Sequence, residues 1–185
     1  MVADLYTWNL LTTPGYCWYN FDAAAYKDTC GALYNWYTIN TGKLCPTGWH
    51  VPTDADWTTL EDYLIANGYN YDGTTTGNKI AKAMAYITNW TSSPTAGAPG
   101  NPDYPAYRNK SGFSALPDGG LINLPFGSQW YALRFSSIGN LAAWWSSTDT
   151  ISFGINNYND KLMRGTKPKS AKEPEGLTVR CVKDN

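Results

Sequence analysis

His50 is the only histidine in the chain, so it is the first side chain to test for general acid–base chemistry near neutral pH. Such a role needs a Ser or Cys nucleophile in an activated setting and a third group that orients the base. Neither lies beside it in sequence. Cys45 precedes it within Leu44-Cys45-Pro46-Thr47-Gly48-Trp49-His50-Val51-Pro52, a rigid Pro- and Gly-shaped stretch that reads as structural. The imidazole is expected to order a turn through a ring hydrogen bond. No catalytic residue and no enzymatic activity are expected.

Carboxylates give no stronger case. Asp54, Asp56, Glu61 and Asp62 line the start and outer face of a helix, where capping and solvation account for them. Asp103, Asp118, Asp149 and Asp160 are scattered, whereas calcium needs several oxygens converging on one ion. No metal and no cofactor are expected. Asn89-Trp90-Thr91 and Asn109-Lys110-Ser111 match the N-glycosylation pattern, which chance often produces, so they carry no weight.

The four cysteines, Cys17, Cys30, Cys45 and Cys181, contain no C-x-x-C pair, and with one histidine they exclude a zinc site. The preferred pairing is Cys17–Cys30 with Cys45–Cys181. In the chain-entropy model the short loop contributes about 3 kcal/mol and the long one about 5 kcal/mol. Four free thiols are the alternative.

Composition bounds the rest. A chain of 185 residues holds one sizeable core and is short for two. Charged residues are only 16%, while aromatics reach 15%, with nine Trp and fourteen Tyr, so rings should dominate packing. A net charge of −1 provides no basic stripe, and no nucleic-acid partner is expected. No apolar run is long enough to span a bilayer, so no membrane insertion is expected, and no signal peptide is recognisable.

The elements that must position these groups follow from hydrophobic spacing. Residues 5–20 read as strand, turn, strand. Ala32, Leu33, Trp36, Tyr37 and Asn40 form a helical stripe ended by Thr41-Gly42. Thr53 caps a second helix, with Trp57, Leu60, Tyr63 and Leu64 on its buried face and Asn67-Gly68 as its stop. Ile80, Met84 and Ile87 suggest a short helix over 79–87. Residues 91–110 are rich in Pro, Gly, Ser and Asn and favour surface loop. Residues 111–117 and 142–148 look like short strands, and 149–176 lack a steady period. At the end, Leu177, Val179 and Cys181 alternate with Thr178, Arg180 and Val182 as a half-buried strand. Two early helices followed by a loop-rich β half make an α+β plan. One closed domain is expected, its tail strand lying against the Pro-flanked segment.

Several blocks carry a family resemblance: Tyr34-Asn35-Trp36-Tyr37, Leu44 to Trp57, Ser111-Gly112-Phe113-Ser114-Ala115-Leu116-Pro117, Trp144-Trp145-Ser146-Ser147-Thr148 and Val179-Arg180-Cys181-Val182. In sequence and order they resemble the bacterial "major paralogous domain" family, over about Pro14 to Asp184. Cys30, where an aromatic is usual, and the Lys/Pro/Glu run at 167–175 depart from it. The resemblance implies a C-type lectin-like fold of the formylglycine-generating-enzyme branch. That enzyme branch uses a pair of reactive cysteines near its C-terminal end; here only Cys181 stands there, so its oxidase chemistry is not expected. The fold branch is also similar to the variable proteins of diversity-generating retroelements, whose varied stretch lies between a Trp-Ser-Ser-Thr-like and a Val-Arg-Cys-Val-like strand. Residues 149–176 occupy that place.

The candidate ligand-binding surface therefore comprises Thr150, Ser152, Phe153, Asn156, Asn157, Tyr158, Asn159, Met163 and Arg164. It mixes adaptable hydrogen-bonding groups with large anchors, as adaptable paratopes do. Trp145 joins it, since adjacent rings on a strand face opposite ways, although core or loop cover is the favoured account of the second ring. An ordinary solvated loop and edge strand is the alternative for the whole stretch. The expected function is non-enzymatic binding of a protein or cell-surface ligand by a monomer, with a cell-surface or secreted location implied by the resemblance and cysteine pairing. A structural cell-envelope or adhesion domain without a dedicated pocket is the alternative.

Overall fold

A computed structural model describes residues 1–126, 130–149, 151–166 and 175–184. Thr150 and the Lys/Pro/Glu run through residue 174 lie outside the described residues. In chain order the elements are α1 (Leu5–Leu10), β1 (Tyr16–Cys17), α2 (Ala23–Tyr26), β2 (Leu33–Tyr34), α3 (Trp36–Ile39), β3 (Trp49–His50), α4 (Asp54–Ala66) and α5 (Ala81–Met84). There follow β4 (Asp118–Phe126), β5 (Trp130–Ile138), β6 (Leu141–Trp145), β7 (Ile151–Asn156), β8 (Met163–Thr166) and β9 (Val182–Lys183). This is a mixed α+β arrangement with few helices, short antiparallel strands and long connections.

Local capping explains where the early reading holds and where it fails. Residues 5–10 are helical rather than extended, because the Asp4 carboxylate accepts from Thr7 N–H and from the Thr7 hydroxyl, both at 2.8 Å. Only Trp8 of this helix is buried. The stripe at 32–40 splits, since Asn35 accepts from Thr38 N–H at 3.1 Å and starts α3 after the β2 residues have paired. The α4 helix forms as expected. Thr53 and Asp56 build a reciprocal capping box, and Gly68 takes a positive φ of 72° beyond the stop. Tyr63 departs from its expected burial, being 58% exposed. The 79–87 segment shortens to α5, and Ile87 is exposed.

The loop at 91–110 is packed rather than simply solvated. Its Ser93, Ala98 and Pro99 are buried. Lys82, wholly buried, reaches the carbonyls of Asn101 at 2.6 Å and Asp103 at 2.8 Å and the Asp103 carboxylate at 2.6 Å. Residues 111–117 form no strand; Ala115 makes a single bridge to Ala85.

Four sheets complete the described structure: β1–β2, β3–β9, β4–β5 and the three-stranded β6–β7–β8. The β4–β5 hairpin, which the sequence reading did not identify, runs antiparallel from Asp118 opposite Ile138. In the tail, Gly176, Leu177 and Thr178 bridge singly to Leu121, Tyr34 and Trp144. The tail then pairs with the early segment, His50 opposite Val182 and Trp49 opposite Lys183. Beside this junction Cys45 and Cys181 form the expected disulfide across 136 residues of sequence.

The Cys17–Cys30 pairing is overturned. Both are free thiols. Cys17 packs among Trp8, Tyr19, Leu33 and Leu121, where burial pushes its thiol up to about 12. Cys30 instead follows α2 and faces a cleft beside Asp118.

Candidate binding surface

The β6–β7–β8 sheet has two different faces, set by its register. Trp144, Phe153 and Arg164 stand opposite one another on three strands, and so share one face. That face meets α4. Trp57 stacks on Phe153 at 5.0 Å with planes 17° apart, and on Trp144 at 5.4 Å with planes 28° apart. Arg164 closes the edge of this layer with two bonds to Asp54, 2.7 and 2.8 Å long. This fork holds the Asp54 carboxyl below the usual carboxylate range and the Arg164 guanidinium above its ordinary value.

Phe153 is therefore a core residue, a correction to its assignment as a surface anchor. Trp145 is likewise buried, packing on Trp36 at 5.7 Å and donating Nε1–H to the Tyr34 carbonyl at 2.6 Å. Asn156 is buried too; its Oδ1 accepts from Tyr158 N–H at 3.2 Å, and its Nδ2 lies 3.1 Å from Met163 Sδ. These three side chains cannot meet a ligand without rearrangement.

The opposite face carries small residues along β7 and β8. Ser152 and Gly165 are register partners, as are Gly154 and Met163. They contribute to a recess of about 410 Å³, walled by Ile122 and Asn123 of β4, Leu141 of β6, Glu175 and Leu177. Gly154 is required there, because a Cβ would lie 2.7 Å from the Ala142 carbonyl oxygen. Glu175 is buried, and its Oε1 accepts Asn123 N–H at 3.0 Å, tying the tail to β4.

Of the expected residues, Ser152 and Met163 thus face one recess, which Arg164 borders while its guanidinium is tied to Asp54 on the other face, and Asn157, Tyr158 and Asn159 sit together at the β7–β8 turn. Asn157 N–H donates to the Asn140 carbonyl at 2.9 Å, and Asn159 Oδ1 accepts from Lys161 N–H at 2.9 Å. Tyr158 stands 66% exposed at the tip. Ile122, Asn123, Leu141 and Glu175 escaped the sequence reading. For Ile122 and Asn123 the signal was the unrecognised β4–β5 hairpin, which brings β4 alongside β6; Leu141 and Glu175 join them from β6 and from the tail.

His50 orders its surroundings through both ring nitrogens. Nδ1 lies 2.6 Å from Asp184 and Nε2 lies 3.1 Å from Asp56. The Asp184 bond, then the Asp56 bond, raise the imidazole above its ordinary pKa. Burial would push Asp56 up, but hydrogen bonds from Thr53 and His50 outweigh it and hold the carboxyl low. Among the described residues no three His, Cys, Asp or Glu side chains gather as a metal-binding group. No helix among them is long and apolar enough to cross a membrane.

The family profile of the Fibrobacter succinogenes major domain matches residues 3–183. The chain belongs to that family. No curated protein and no solved structure matches it. The matched span takes in both halves of the disulfide, the capped α4 helix and every wall of the recess.

Proposed function

We propose that this protein is a non-enzymatic ligand-binding module, in which a stiff aromatic scaffold presents the β7–β8 recess and turn to a protein or cell-surface ligand. The observation that carries the reading is the division of labour across one sheet. The Trp57–Phe153–Trp144 stack fixes the strands from behind, while Ser152, Gly165 and Met163 leave a hollow on the other side. A scaffold fixed in this way limits the ordering cost of binding, and its exposed side chains can change without loss of the fold. The recess volume falls within the range of about 300–1,000 Å³ usual for small-ligand sites.

The motif resemblance supports a C-type lectin-like scaffold of the formylglycine-generating-enzyme branch and a kinship with retroelement-diversified proteins. On that reading the display surface is Ser152, Asn157, Tyr158, Asn159, Met163 and Arg164, together with Thr150.

The test is amide-resolved NMR of the whole protein against a panel of glycans and short peptides. Saturable shifts confined to Ser152, Met163, Gly165, Ile122 and the 157–159 turn are expected. They should disappear on Gly165→Arg without change in the Trp57 and Trp144 indole resonances. Absence of saturable binding across the panel, or binding indifferent to Gly165→Arg, would refute the reading. The neighbouring coding DNA offers a second check: an adenine-substituted copy of the 3′ region should mark these same codons.

A further inference from the structure

Away from the β7–β8 recess, two adjoining hollows of about 370 and about 390 Å³ share Thr29, Cys30, Leu116 and Asp118 in their walls. Together they form a cleft between the end of α2, the approach to β4 and the tail segment before Cys181. Asp118 sits at the junction, among Leu116, Pro117 and Ile138. Burial there pushes its carboxyl up to about 7, against the opposing pull of Arg180.

Arg180 lines the same cleft. Its guanidinium lies over the Phe113 ring, 4.8 Å from the centroid, and one N–H donates to the Ser114 carbonyl at 3.1 Å. Asp118 and Arg180 attract one another through space, yet no direct ion pair joins them among the described residues. Asp118 is held in register with Ile138, and Arg180 is flanked by the disulfide at Cys181.

An acid and a guanidinium held apart in one hollow select their ligand by sign. A simple anion drawn to Arg180 would face Asp118, and a simple cation drawn to Asp118 would face Arg180. Lys27 and Asp28, also in the wall, add one charge of each sign and leave the balance unchanged. A group carrying both charges meets both needs, since a carboxylate can take paired N–H donors from the guanidinium fork. We propose that this cleft binds an α-amino-acid-type zwitterion, its ammonium toward Asp118 and its carboxylate toward Arg180, with its side chain along Tyr34. The proposal stands apart from the β7–β8 recess and does not depend on it.

The experiment is a titration of the isotope-labelled whole protein with glycine, larger free amino acids, methylamine, acetate and phosphate, read at the Gly31, Ala32, Asp118 and Val179 amides. Saturable shifts with at least one amino acid are expected, with acetate and methylamine at least about tenfold weaker, as loss of one partner in a charge pair requires. Asp118→Asn and Arg180→Lys should each weaken the response by a similar factor while the β7–β8 amides keep their positions. Asp118→Asn removes a poorly solvated carboxyl, so folding is retained in that variant. No saturable response to any amino acid, equal binding of acetate or phosphate alone, or an unchanged response in Asp118→Asn would overturn the proposal.

Discussion

Trp57 and Phe153 stack with ring centroids 5.0 Å apart, joining the α4 helix to the middle strand of the three-stranded sheet. The contact divides the stretch between residues 151 and 166 into supporting and displayed positions. Phe153 and Ile155 face the helix, and Tyr158 faces solvent.

Substitution should follow that division. Phe153→Ala removes a ring that is 3% exposed and leaves a cavity against Trp57 and Trp144, for a loss of about 3–5 kcal/mol. Tyr158→Ala, at the exposed turn, should stay within about 0.5 kcal/mol of the parent. Urea unfolding followed by Trp fluorescence measures both. Equal losses at the two sites would contradict the division.

The His50 bridge gives the tail junction a pH dependence with a definite sign. Its folded pKa is raised above the ordinary 6.5, so its stabilising contribution is full below pH 6.5 and is lost as pH rises through the folded value. Asp56 has the opposite sense: its lowered pKa contributes above the ordinary 3.8, and that contribution is lost as pH falls through the folded value. The two together place the optimum of this junction in mildly acidic solution. Because the imidazole is 42% exposed, the effect is modest. Melting temperature against pH should decline from pH 6 to pH 9 in the parent, and His50→Gln should flatten that slope. An unchanged slope would remove His50 from the account.

These two predictions also mark where sequence was sufficient. The α4 helix was legible because its signals are local: Thr53 and Asp56 cap it, Trp57 and Leu64 define its face, and Asn67-Gly68 ends it. The Cys45–Cys181 link was legible because both cysteines stand in recognisable blocks. Phe153 and Asn156 were misplaced because the face of a strand depends on its register, and register belongs to partners elsewhere in the chain. The β4–β5 hairpin was missed because Gly119, Gly120 and Pro125 break up the alternation that would announce strands. Cys17 and Cys30 are near neighbours in sequence, but Cys17 turns into the Trp8 cluster while Cys30 faces a cleft.

Lys82 should prove a structural anchor of the 91–110 loop. Its buried ammonium neutralises Asp103 and satisfies two backbone carbonyls. Burial lowers its pKa despite Asp103, so the amine is held charged by this one set of partners. Lys82→Met removes the partner of a carboxylate and the ammonium donor to the Asp103 carbonyl, while the Asn101 carbonyl keeps Arg108 at 2.8 Å, for a loss of about 3–5 kcal/mol. Hydrogen exchange should accelerate at Gly97, Asn101 and Asp103 before it does so in α4. Protection that falls uniformly across the molecule would show instead that the loop is not a separate unit.

The disulfide offers the largest single lever on the fold, and the free thiols supply its control. Cys45 and Cys181 close a loop spanning 136 residues, for which chain entropy gives about 5 kcal/mol. Cys45→Ser with Cys181→Ser should lower unfolding free energy by an amount of that order, and reduction of the parent should do the same. Thiol titration in denaturant should count two reactive groups in the oxidised parent and four after reduction. In native buffer Cys30 should react first. Cys17 is fully buried with its pKa pushed up to about 12, so it should react only as fast as the protein opens. Its rate therefore reports opening directly, and removing the Cys45–Cys181 link should raise it by the factor that the lost stability predicts. A Cys17 rate indifferent to that link would mean that the Trp8 cluster opens independently of the tail junction, and that the two regions are not held by one cooperative fold.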